Sequence, residues 1–130
     1  MSDGDVIRRF REDPVLMVQT LFKVEPDDWQ AQALRAFANY QPEMMRISMQ
    51  ACTGPGKSTV LSWILWNFML CYSEPGEHPK GAAVSVNWDN LKENLWSEAN
   101  KWLQRSEFLQ RYFEWTQTSI YNKSYKATWF

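Results

Sequence analysis

The residues best able to do chemistry lie in one short stretch, Ala51-Cys52-Thr53-Gly54-Pro55-Gly56-Lys57-Ser58. Gly54 and Gly56 let the backbone curl so that successive N–H groups point inward. A helix starting here adds the positive end of its dipole. Lys57 then reaches the outer phosphates of a nucleoside triphosphate as a point charge, and is the expected catalytic group. The Ser58 hydroxyl suits Mg²⁺. Pro55 donates no N–H, so it must sit where none is needed. Thr53, Gly54, Pro55, Gly56, Lys57, Ser58 and Thr59 are the expected phosphate-side contacts. A phosphate loop strictly asks for Gly, four residues, then Gly-Lys-Ser/Thr. Ala51 stands at the first of those positions. The plainer alternative is a Gly-Pro-Gly-Lys turn that simply starts a helix.

A second pair, Trp29-Gln30, lies upstream. A Gln amide offers both a donor and an acceptor, which matches the edge of adenine. Trp29 can pack beside it. Together the two stretches make ATP with Mg²⁺ the expected ligand. Cys52 has no partnered His to activate it as a nucleophile. The single histidine, His78, lies between Pro75 and Pro79 in a polar loop and reads as solvated.

Those residues need elements to hold them. Asp13 to Phe22 reads as a helix, with Asp13 as cap and Pro14 at the first helical position. A turn follows over Val24-Glu25-Pro26-Asp27, then a helix from Asp27 or Asp28 to Ala38. A strand is expected over Met45 to Ala51, directly before the glycine-rich loop. Ser58 to Cys71 is apolar almost all round, which indicates an interior helix. Ala82 to Val86 reads as a buried parallel strand. Asp89 to Gln104 is the clearest helix, with Trp88, Leu91, Leu95, Ala99, Trp102 and Leu103 at helical spacing. A short helix over Phe108 to Trp115 follows. Thr118 to Tyr121 and Tyr125 to Phe130 then flank a hairpin-like turn at Asn122-Lys123. Strands alternating with long helices predict an α/β fold with a parallel sheet.

The chain has 130 residues, which is about one domain. With 45% hydrophobic and 22% charged residues it is not a disordered or low-complexity chain. The formal net charge is -1, so no chain-wide basic footprint for nucleic acid exists. Eight Trp residues imply large buried or contact area. Cys52 and Cys71 do not make a disulfide framework. The acidic start Met1-Ser2-Asp3-Gly4-Asp5 has no signal-peptide core. Val60 to Tyr72 falls short of the about 20 apolar residues of a membrane span. A protein that is neither secreted nor membrane-bound is expected.

The version Ala-x-Thr-Gly-x-Gly-Lys-Ser, with a Gln upstream, resembles the superfamily 2 helicases and the phage terminase large subunits. Asp27-Asp28-Trp29-Gln30 followed by Leu34 looks like the adenine-side motif of terminase ATPase domains. Val84-Ser85-Val86-Asn87-Trp88-Asp89-Asn90-Leu91, continuing through Leu95-Trp96-Ser97-Glu98 to Lys101-Trp102, is similar to the strand and helix after the terminase phosphate loop. The resemblance implies a P-loop NTPase three-layer sandwich with a parallel sheet, incomplete in this chain. Residues 1–44 would be a helical lead-in carrying the adenine-side motif, and residues 45–130 the P-loop core. It also implies a motor driving double-stranded DNA into a procapsid in the host cytoplasm. Its partners would be the procapsid portal and the small terminase subunit, in an oligomeric ring.

The family needs an adjacent acidic pair after an apolar strand. The acids after Ser58 are Glu74, Glu77, Asp89, Glu93, Glu98, Glu107 and Glu114, and no two are adjacent. The nuclease region of the family is also missing, and no arginine finger can be assigned. The expectation is therefore an N-terminal piece of a longer protein or a truncated product, which binds nucleotide and lacks turnover. The alternatives are a fragment of a superfamily 2 helicase or translocase, or an inactive fragment.

Overall fold

A computed structural model describes residues 2–39, 56–72, 78–85, 87–124 and 128–130. Its helices are α1 (Asp3–Glu12), α2 (Pro14–Met17), α3 (Asp28–Ala38), α4 (Lys57–Cys71), α5 (Trp88–Leu91), α6 (Ser97–Arg105) and α7 (Glu107–Tyr112). Strands β1 (Phe113–Trp115) and β2 (Ile120–Asn122) follow. A π-helical segment, Val18–Phe22, prolongs α2, and a second, Lys92–Trp96, joins α5 to α6.

The expected parallel three-layer sandwich is overturned. The described residues are mostly helical, and the sheet they form is a two-stranded antiparallel ribbon. The strand expected over 82–86 does not form at 82–85, where Val84 is 93% exposed. The segment makes one isolated parallel bridge, Lys80 to Trp129, and the Gly81 N–H donates to the Trp129 carbonyl at 3.1 Å. A β-prone run becomes a strand only where neighbours supply a ladder and a packed face. Neither is present along 82–85 among the described residues. Position 86 and the strand expected over 45–51 lie outside the described residues.

The helices begin where capping chemistry starts them. Ser2 accepts the Asp5 N–H at the start of α1, Asp13 the Leu16 N–H at α2, and Ser106 the Leu109 N–H at α7. Asn87 does the same for α5 through the Asn90 N–H at 2.8 Å. At α3 the Asp27 N–H donates to Gln30 Oε1 at 2.9 Å, the returning half of a capping box. α2, α3, α4 and the long helix through α6 match the sequence reading. α1 does not: the sequence reading treats that stretch only as an acidic start. The helix expected over 108–115 ends at Tyr112, and Phe113–Trp115 turns into β1.

α4 is the centre of the packing. Its residues Val60, Trp63, Leu65, Trp66, Met69, Leu70 and Cys71 are buried, as an apolar-all-round helix requires. α1, α3 and α6 lie against it. Two polar ties cross this core: Trp66 Nε1 donates to the Ala99 carbonyl at 3.0 Å, and Asn67 Nδ2 to the Phe10 carbonyl at 2.9 Å. Cys71 is a buried free thiol, and Cys52 lies outside the described residues.

β1 and β2 pair with Phe113 opposite Asn122 and Trp115 opposite Ile120. Residues 128–130 run along the other edge of β2. There the Ile120 N–H donates to the Phe130 carbonyl at 3.0 Å, and the Phe130 N–H to the Ile120 carbonyl at 2.8 Å. The turn expected at Asn122-Lys123 is present, with Asn122 Oδ1 accepting the Ser124 N–H at 2.8 Å. No helix among the described residues is long and apolar enough to cross a membrane.

Candidate phosphate-binding turn

Gly56 is the N-cap of α4 and adopts a left-handed conformation, φ 93 and ψ 25. A side chain rarely tolerates that backbone, so glycine is the residue the turn needs. α4 is 15 residues long. Its first turn carries no acidic residue, and among the described residues no side chain caps it. Lys57 is its first residue, placing a positive charge at the positive end of the dipole. The arrangement is unfavourable by itself and becomes favourable with an anion in front of it.

A cleft of about 1150 Å³ opens at this point. Gly56, Lys57, Ser58 and Thr59 line it from α4, and Asn90, Asn94 and Glu98 from the long helix opposite. The π-helical segment Lys92–Trp96 lies in that wall. It adds one residue to the α repeat and so turns later positions by about 100° around the axis. Glu98, on the far side of this step, is among the residues that line the cleft.

The structure brings the two stretches singled out from the sequence together. Gln30 Nε2 donates to the Gly56 carbonyl at 3.4 Å, across 26 residues. Trp29 Cζ2 lies 4.0 Å from where a Cβ on Gly56 would stand. Gln30 is only 7% exposed. Its amide therefore braces the start of α3 and the turn at once. Thr53, Gly54 and Pro55 lie outside the described residues. His78 is exposed, as expected.

Thr59 lines the cleft, but its hydroxyl is engaged by the facing helix. Its Oγ1 donates to Glu98 Oε2 at 3.2 Å. The same oxygen accepts Trp102 Nε1 at 3.1 Å, and Lys101 Nζ stands 3.9 Å from Oε1. The sequence reading carries Glu98 as one of several acids after Ser58 and within the terminase-like stretch, without a partner on α4. Its i+4 spacing to Trp102 was legible, whereas its pairing with Thr59 joins residues 39 apart.

Among the described residues no group of three or more His, Cys, Asp or Glu is placed to hold a metal ion. Mg²⁺ takes most of its ligands from water and phosphate, with one or two from protein. The Ser58 hydroxyl, half-buried on the first turn of α4, fits that single role. Comparison of the chain with protein-family models, with curated proteins and with solved structures found no match.

Proposed function

We propose that the turn Gly56–Thr59 binds the phosphates of ATP with Mg²⁺. The observation that carries this reading is the start of α4. It is a helix N-terminus with a left-handed glycine and a lysine, opening on a cleft and braced by Gln30. In this reading Lys57 contacts the outer phosphates, and Ser58 holds Mg²⁺. Trp29 and Gln30 stand on the base side. Magnesium would neutralise charge on the β- and γ-phosphates, and the first-turn N–H groups would orient them. The proposal concerns the turn and its neighbours and calls on no parallel sheet.

The wider activity proposed is that of a terminase-like motor. ATP bound here would be used to move double-stranded DNA through a procapsid portal, alongside a small terminase subunit, in a ring assembled in the host cytoplasm. That part rests on the likeness of Asp27-Asp28-Trp29-Gln30 and of Val84 to Trp102 to the terminase pattern.

The test is a titration of labelled ATP with Mg²⁺ against the protein and against Lys57→Ala. Removing a charge-assisted contact costs about 1.5–3 kcal/mol, or roughly 10- to 100-fold in affinity. Equal affinities would take Lys57 out of the site, leaving the turn as no more than the start of a helix.

A further inference from the structure

We propose that Glu98 is the positioning residue of the phosphate-binding turn, tying the first turn of α4 to α6 and linking its occupancy to Trp102. The inference rests on the reading of Gly56–Thr59 as that turn. α4 and α6 meet there at two stacked levels. At the upper level Thr59 Oγ1 donates to Glu98 Oε2 at 3.2 Å. One helical turn below, Trp63 packs edge-on to Trp102 with ring centroids 5.4 Å apart. Trp102 Nε1 closes the square by donating to Glu98 Oε2 at 3.1 Å.

Each side of this square is constrained. Trp102 is 4% exposed, and Phe22 lies against it at 5.2 Å. The guanidinium of Arg105 covers its ring at 4.8 Å. Glu98 keeps 26% of its side chain exposed, with Lys101 beside the oxygen that Thr59 does not use. A carboxylate oxygen accepting two hydrogen bonds on a partly buried side chain is costly to displace. The bond turns the Thr59 hydroxyl toward α6. Lys57 and Ser58, two and one places earlier, then meet the ligand, while Thr59 sets the rotation of the turn. An anion drawing on the first-turn N–H groups would pull on Thr59, then Glu98, then the Trp102 indole.

The experiment measures MgATP affinity in a double-mutant cycle of Thr59→Val and Glu98→Ala, with Glu98→Gln as the conservative control and melting temperatures for every variant. Thr59→Val and Glu98→Ala should each weaken binding about tenfold, the double variant no further than either alone. Glu98→Gln should bind like the parent, because its amide oxygen still accepts both bonds. With Trp29→Phe silencing the base-side indole, Trp emission should still change on adding MgATP and lose that change when Trp102→Phe or Glu98→Ala is added; an unaltered response in both would overturn the link to Trp102. Parent-like affinity in Thr59→Val and Glu98→Ala, or losses that simply add, would overturn the positioning role while leaving the phosphate site standing. A parent protein that does not bind MgATP would overturn both.

Discussion

Gln30 is asked to do two things with one amide. Its Oε1 accepts the Asp27 N–H and its Nε2 donates to the Gly56 carbonyl. An amide oxygen has a second lone pair and the nitrogen a second proton, but Gln30 is 7% exposed and neither it nor Trp29 is among the described residues that line the cleft, so meeting a base edge requires the amide to open toward it. Gln30→Ala should then weaken ATP more than GTP in parallel titrations. Equal losses for the two nucleotides would make Gln30 a brace alone. Gly56 can be tested without any ligand. A Cβ there would stand 2.7 Å from Gln30 Nε2, on a backbone with φ 93. Gln30 is buried and bonded, so it cannot swing aside freely. Gly56→Ala should lower unfolding free energy by about 1–3 kcal/mol, read by urea denaturation. An unchanged midpoint would mean that the turn adopts another conformation.

At the scale of elements, capping chemistry and apolar spacing were readable, while partnership in space was not. Asp13 before Pro14, Asp27 before Trp29, and the unbroken apolar run of α4 each specify a helix locally. α1 carried the same kind of signal and went unread. Ser2 caps it, Asp3 and Asp5 open it, Arg9 and Arg11 close it, and Val6, Ile7 and Phe10 share one face. Its acidic start resembled a solvated tail because Phe10 is buried only once α1 packs on α2 and α4. The stretch 82–85 erred the other way. A small, mostly apolar, β-leaning run suits a buried strand, but Val84 projects into solvent and the ladder stops at one bridge. Strand propensity measures fit to a neighbouring surface, which one segment does not encode. The site divides along the same line. Gly56, Lys57 and Ser58 are a local pattern and were legible. The Thr59–Glu98 bond depends on how α4 crosses α6, with no trace in spacing.

On the scale of the whole molecule, α1 is tied to α7 and packs against α4, and a tyrosine and a thiol along these contacts hold their protons above their ordinary values. Tyr112 on α7 donates its hydroxyl to Asp3 Oδ2 on α1 at 2.7 Å, across 109 residues. That bond, with a smaller contribution from burial, raises the tyrosine above its ordinary value of 10.0. Beside α1, burial pushes the Cys71 thiol up from 9.0 to about 12, and Arg11 offsets this only in part. Both groups are neutral when protonated, and both hold their proton more tightly in the folded protein. Their contribution to stability is therefore complete below their unfolded values and declines as pH rises toward the folded ones. For Cys71 the window runs from about 9 to about 12. A single buried acid of this kind gives a slope of at most about 1.4 kcal/mol per pH unit. Urea unfolding at a series of pH values from 7 to about 11 should show a plateau, then a fall beginning near the unfolded thiol value. Cys71→Ala should lower the plateau, because it opens a cavity in the core, yet flatten the fall. The tyrosine is largely exposed, so Tyr112→Phe should alter the slope less than Cys71→Ala does. A parent and a Cys71→Ala variant losing stability in parallel above pH 9 would show that the thiol ionises as readily in the folded chain as in the unfolded one.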